Sequence, residues 1–337
     1  MTDTQGLTEF EIIRRYFSAI GDANISSETG SVALGIGDDC ALLNVPAGQQ
    51  LALSIDTLLA DRHFPANANP FDIGQRALAV SISDLAAMGA KPLAFTLALS
   101  LPEVDAVWLQ GFSQGLAQAA QCYAIPLIGG DTTCGPLSIT VQVHGTVAND
   151  KSMLRSAAQP GDSIFVSGFL GDAAAALAVI QGRLAVDDEQ QAYLLQRFYQ
   201  PQARLNLGQA IAPLAHAAID VSDGLLADLG HIVSASSGRG ASLVAELQLA
   251  NIPVSPVLSA VVTESQALNY ALSGGDDYEL CFTVPQKNKQ GIIDVAKRLS
   301  LPLAEIGRVV ASESSGVRCF DVQGNTVGIA QQGYQHF

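Results

Sequence analysis

The chain has 337 residues, of which 48% are hydrophobic and 15% charged, with 31 glycines and 14 prolines. That composition excludes a disordered protein, and at roughly 100–200 residues per domain the length points to two buried cores. Lysine and arginine number 17 against 32 acidic residues, a net charge of −15 that disfavours nucleic acid and anionic membranes as partners. The acidic balance serves solubility in any case; a protein of this charge that binds phosphate also needs divalent cations.

The first helix is expected to start at Thr8, with Glu11 completing a capping box, Phe10, Ile13 and Phe17 on one face and Gly21 as the stop. Strand-like runs follow at 32–36 and 51–55. A long helix is expected over 70–88, with Pro70 in its first turn and Gly89 past its end. A strand over 92–101, a helix over 104–123 and β-like runs at 125–128 and 137–147 close a mixed α/β half. The segment 149–162, with its Pro160-Gly161 turn, is the expected boundary between domains 1–150 and 151–337. In the second half, strands are expected at 164–166, 242–245, 279–284, 303–309 and 317–320. Helices are expected at 172–180, 189–198, 203–214 and 223–235. The fold class is therefore α/β or α+β, as two layered mixed domains.

Five widely spaced cysteines without a Cys-x-x-Cys pair argue against a disulfide framework or zinc site and fit a reducing cytoplasm. Asp3, Glu9 and Glu11 stand where a signal peptide would carry positive charge, and no run approaches the ~20 apolar residues of a membrane span. A cytoplasmic location is the expectation, with no membrane partner.

Acidic motifs punctuate the ends of the apolar runs: Gly37-Asp38-Asp39, Ser54-Ile55-Asp56, Gly129-Gly130-Asp131 and Asp220-Val221-Ser222-Asp223. A fifth, Gly274-Gly275-Asp276-Asp277, precedes a strand. Any one Gly-Asp is an ordinary turn signal. Five together point to a cation site, because clustered carboxylates repel unless neutralised and Mg²⁺ prefers oxygen ligands. Asp84, inside the long apolar helix, is either half-buried against a partner or metal, or exposed. Among the histidines, His63 in the polar turn Asp61-Arg62-His63 is the best placed to touch a ligand. P-loop, Rossmann, kinase-loop and Gly-x-Ser-x-Gly patterns are absent. The Gly168–Asp172 turn is either an anion cradle at a helix start or a plain connection.

Eight segments resemble, in order and through almost the whole chain, the thiamine-monophosphate kinase family of the aminoimidazole-ribonucleotide-synthetase-like superfamily. They are GIGDDCALL (35–43), SIDTLLADRHF (54–64), ALAVSISDLAAMGA (77–90), IGGDTT (128–133), RSAAQPGD (155–162), IDVSDGLLADLGHI (219–232), SGGDDYELCFTVP (273–285) and GYQHF (333–337). The resemblance implies phosphorylation of thiamine monophosphate to thiamine diphosphate, with ATP as co-substrate and several Mg²⁺ ions. It implies metal contacts at Asp39, Ser54, Ile55, Asp56, Asp84, Asp131, Asp220 and Asp223, with Ile55 limited to its carbonyl where relatives often have Thr. Nucleotide contacts are implied at Gly130, Asp131, Arg155 and Ser222, and substrate contacts at His63, Asp276 and Tyr334, with Asp276 where relatives often have Glu. The N-terminal ATP- and Mg²⁺-binding domains are expected to pair in a homodimer. Asp39, Asp56, Asp84 and Asp131 are expected to form an N-terminal metal platform, with Asp220 and Asp223 contributed by the second domain. No general base is expected, since a phosphate monoester with a second pKa of roughly 6 is already mostly ionised at neutral pH. The alternatives are another ATP-using enzyme of the superfamily (a purine cyclo-ligase or a selenide-activating enzyme) or a non-catalytic nucleotide- or metal-binding protein.

Overall fold

A computed structural model describes residues 8–22, 31–237, 242–329 and 333. Tyr334 and the rest of GYQHF beyond Gly333 lie outside the described residues. The chain divides into two compact units, residues 1–85 with 90–150 and residues 86–89 with 151–337. Each is a layered mixed α/β structure.

The first unit opens with α1 (Glu9–Ile12), capped by the Thr8–Glu11 box, then a π-helical stretch (Ile13–Phe17) and α2 (Ser18–Asp22). A small β1–β2 pair (Val32–Leu34 and Leu42–Leu43) precedes β3 (Gln49–Leu59), α3 (Pro70–Ala87), β4 (Lys91–Leu101) and α4 (Ala106–Cys122). Strands β5 (Leu127–Cys134) and β6 (Ser138–Ala148) complete a four-stranded sheet ordered β3-β6-β4-β5. One face of this sheet is buried through Phe95, Leu97 and Leu99 of β4 and Ile139, Val141 and Val143 of β6. Ile73, Leu78, Ile82 and Leu85 of α3 and Phe112 and Leu116 of α4 are buried as well.

Two strands run further than the sequence suggests. The apolar run at 51–55 continues through Asp56 to Leu59, paired residue by residue with β6, and the run at 125–128 continues through the glycines and Asp131 to Cys134, paired with β4. Both acidic motifs therefore sit inside strands instead of beyond their ends. A carboxylate is tolerated there because alternate positions of a strand point to opposite faces. Asp105 is the exposed N-cap of α4, its carboxylate accepting the amides of Val107 and Trp108.

The second unit is built on β7 (Ser163–Ser167), α5 (Asp172–Ile180), α6 (Asp188–Tyr199), α7 (Leu205–Ile211), β8 (Ala217–Asp220), α8 (Leu225–Ser236) and β9 (Ser242–Gln248). It continues with α9 (Pro256–Val261), α10 (Glu264–Ser273), β10 (Leu280–Val284), α11 (Lys289–Leu299), β11 (Leu303–Ser312), β12 (Gly316–Phe320) and β13 (Thr326–Val327). The strands form one sheet ordered β13-β12-β9-β11-β7-β10-β8. Its main core joins Leu225, Leu229, Ile232 and Val233 of α8 to Ile164, Ile219, Val309 and neighbours on the strands. A satellite core gathers Ala173 and Ala176 of α5, Leu194 and Phe198 of α6, Leu258 of α9 and Ala267 of α10. Helices α9, α10 and α11 add to the helices that the sequence pattern predicts, and Thr263 and Gln266 form a capping box that marks the start of α10. No described helix is long and apolar enough to cross a membrane.

Candidate functional site

In the first unit, α3 lays one polar edge along the covered face of β3. Ser81 and Asp84, one helical turn apart, meet Asp56 and Ser54, two residues apart on the strand: the Ser54 hydroxyl donates to Asp84 Oδ2, and Ser81 bonds the Asp56 carboxylate. Asp84 is thus half-buried and partnered. Burial, then the neighbouring Asp84 charge, pushes the Asp56 carboxyl up to about 6, against the opposing Ser81 bond. None of the ion pairs among the described residues involves Asp56 or Asp84. Two carboxylates and a hydroxyl without a fixed protein cation are a donor set that suits Mg²⁺.

Asp131 does not join this pair within one chain. Pairing runs Asp131–Ala98–Thr140–Thr57 across the sheet, whereas Asp56 pairs with Val141 and Val141 with Leu97. Asp131 therefore lies on the opposite face, on the far edge strand, three strand spacings or ~14 Å from β3. Strand order and alternation thus keep Asp131 apart from the Asp56–Asp84 pair of the expected platform within one chain. Gly130 sits where a Cβ would meet Leu97 O at 1.8 Å, so only glycine lets β5 approach β4 so closely ahead of Asp131. Asp39 is exposed between β1 and β2, its amide bonded to Asp38 Oδ1. Among the described residues no three Asp, Glu, His or Cys side chains converge as a ready cation cage.

His63 follows β3 in a turn where Asp61 adopts φ 59°. Its Nδ1 accepts the Leu59 amide at 3.0 Å, so the proton of the neutral ring belongs on Nε2. Ile55, 60% exposed, turns its side chain to the face opposite Asp56.

In the second unit, two of the acidic motifs dock on each other. The Asp276 amide donates to Ser222 O at 2.8 Å, and the Tyr278 amide donates to Val221 O at 2.9 Å. A Cβ on Gly275 would meet Ser222 O at 2.3 Å, which makes glycine necessary for this approach. Asp276 and Tyr278 both occupy the left-handed region, at φ 70° and 50°, a strained choice for non-glycine residues. The Tyr278 hydroxyl reaches Asp276 Oδ1 at 3.2 Å. Ser222, Asp223 and Asp276 are thereby neighbours and half-buried, while Asp220, the last residue of β8, is buried.

Two buried acids of the same loop, Asp277 and Glu279, hold this conformation. Asp277 is buried and accepts the amides of Gly171 at 2.7 Å and Ala173 at 3.3 Å. The Gly168–Asp172 turn is thus filled by the chain's own carboxylate and is not a free anion cradle. Burial holds the Asp277 carboxyl well above its ordinary range. Glu279, 1% exposed, is gripped by Arg204 through Nε at 2.6 Å and Nη2 at 2.5 Å, by Arg197 at 3.1 Å and by the Ser167 hydroxyl at 2.6 Å. A buried acid two residues after a tandem Asp-Asp was readable as needing a cation, but its arginines are about 75 and 82 residues away in sequence. Arg155 is exposed and begins a short 3₁₀ turn whose carbonyl accepts Ser236 Oγ at 3.0 Å. This anchors it at the C-terminal end of α8, about one helix length or ~16 Å from Ser222.

Residues 37–147 match the family model of the AIR synthase related protein, N-terminal domain, and residues 159–320 that of the C-terminal domain. Thiamine-monophosphate kinase from Escherichia coli (strain K12) is 49% identical over 331 residues, which cover 98% of each chain. The chain belongs to the thiamine-monophosphate kinase family. The crystal structure of the family member from Stenotrophomonas maltophilia K279a is similar at 44% identity and TM-score 0.81, over 89% of this chain and 93% of that one. AaThiL complexed with AMPPCP and TMP is 29% identical with TM-score 0.74, over 100% of this chain and 99% of that one.

Proposed function

We propose that this chain is a kinase that transfers the γ-phosphoryl group of ATP to the phosphate of thiamine monophosphate, releasing ADP and thiamine diphosphate. Near-full-length identity of 49% to thiamine-monophosphate kinase is the observation that carries the reading. The half-buried Asp56–Asp84 pair supports it by supplying the metal side that an acidic chain needs for phosphate chemistry. Magnesium, when bound, would neutralise the repulsion between the two phosphates that must meet in line. In the first unit, Ser54 would orient Asp84, and Asp56, Asp84, Asp39 and the Ile55 carbonyl would serve the cations. In the second, Asp220 and Asp223 would do the same, Ser222 and Arg155 would hold the nucleotide, and Asp276 would face the substrate with Tyr278 steering its carboxylate. His63 and Tyr334 would complete the substrate contacts. The acceptor phosphate acts as the nucleophile itself, so the protein positions and neutralises without a general base. Product analysis after incubation with ATP, Mg²⁺ and thiamine monophosphate tests the whole reading.

We also propose that two copies pair through the open face of the first unit's sheet. Its edge strand β3 exposes Leu51 (42%), Leu53 (54%), Ile55 (60%) and Leu59 (42%) on one side, an apolar stripe that a two-fold contact would cover. Gly130 and Asp131 belong to the far edge strand, and Asp131 shares that open face. Pairing would bring Asp131 of one copy towards the β3 edge of the other, for metal and nucleotide contact there. A cytoplasmic location, consistent with five free cysteines, completes the proposal.

A further inference from the structure

Asp228 is a buried carboxylate in the first turn of α8, 2% exposed, with no counterpart among the acidic motifs. One of its oxygens, Oδ2, accepts three successive main-chain amides: Ser222 at 3.0 Å, Asp223 at 3.0 Å and Gly224 at 3.1 Å. Three consecutive amides aimed at one point form a nest, the backbone shape that elsewhere cups a phosphate oxygen. Here the nest is filled from within, so these amides are unavailable to a ligand and their orientation is fixed. Gly224, at φ 113°, allows the chain to turn into the helix directly after the nest. The outer side of the same turn carries the bonds from the Asp276 and Tyr278 amides to Ser222 and Val221. The turn is therefore clamped from both sides, by a side chain within and by the 274–279 loop without.

We infer that Asp228 is a positioning residue for nucleotide binding: its carboxylate shapes the 222–224 turn so that Ser222 and Asp223 meet Mg²⁺–ATP. The inference rests on the nucleotide and metal roles proposed for those two residues. Asp228→Asn keeps an oxygen that can accept the three amides, whereas Asp228→Ala leaves them without an acceptor.

The experiment combines amide hydrogen exchange, equilibrium binding of a non-hydrolysable ATP analogue with Mg²⁺, and steady-state kinetics on the full chain. Asp228→Ala should speed exchange at residues 222–224 and weaken analogue binding at least tenfold, with the KM for thiamine monophosphate within about threefold of wild type. Asp228→Asn should restore protection and bind the analogue within about threefold of wild type. Wild-type analogue binding by Asp228→Ala would overturn the inference. If Asp228→Ala does not fold, Asp228→Asn decides: a tenfold loss of analogue binding with intact protection at 222–224 shows that charge and not the acceptor matters, and overturns it too. If the wild-type chain leaves thiamine monophosphate unphosphorylated, the proposed reaction fails, while exchange and analogue binding still judge Asp228.

Discussion

The Ser54 hydroxyl donates to Asp84 Oδ2 across the junction of β3 and α3, and this contact fixes the carboxylate that stands beside Asp56. Removing it by Ser54→Ala should leave the sheet intact and weaken Mg²⁺ use by about 10–100-fold, the usual cost of losing a group that orients a metal ligand. The check is the Mg²⁺ concentration for half-maximal turnover. An unchanged value would remove Ser54 and Asp84 from the metal side.

Asp56 gives a pH signature in the metal-free protein. Its folded pKa, about 6, lies above the ordinary 3.8, so the folded state holds this proton more tightly than the unfolded state. Stability should therefore fall as pH rises from about 4 to about 6, by on the order of 2–3 kcal/mol. Denaturant unfolding of metal-free wild type and Asp56→Asn across that window measures it. Equal slopes in the two proteins would mean that Asp56 does not carry the shift.

Asp131 and Asp56 occupy opposite edges and opposite faces of one sheet, and a paired assembly predicts complementation between copies. Asp131→Asn and Asp56→Asn should each lower turnover by orders of magnitude as homodimers, whereas Glu103→Gln, at an exposed position, should be nearly silent. Mixed dimers of the two inactive variants should regain activity at the one site that inherits both native aspartates. Absence of recovery in verified mixed dimers would contradict a site shared between copies.

The Arg204–Glu279 pair is the structural counterpart in the second unit. Arg204→Met leaves a buried carboxylate without its bidentate partner and should cost about 3–5 kcal/mol, read as a fall in Tm by calorimetry. Arg204→Lys keeps the charge but not the fork and should fall between the two. A wild-type Tm in Arg204→Met would show that Arg197 and Ser167 suffice.

Local signals in the sequence carried most of the fold: the Thr8–Glu11 box, Pro70 at the head of α3 and the Gly89 stop all stand where the chemistry of helix ends places them. Asp84 was ambiguous because a helix position faces solvent or sheet according to tertiary packing, which periodicity alone does not decide. Strands β3 and β5 extend past their apolar runs because pairing with β6 and β4 overrides the local turn preference of Ser-Ile-Asp and Gly-Asp. Asp228 was illegible for another reason. A helical Asp four residues past Gly224 gives no sign that its oxygen collects amides from the preceding turn.

The most direct measurement is product analysis of the purified chain with ATP, Mg²⁺ and thiamine monophosphate. The account predicts thiamine diphosphate and ADP in equal amounts, dependent on Mg²⁺ and lost in Asp223→Asn. Phosphorylation of free thiamine alone, or no transfer at saturating Mg²⁺, would contradict it.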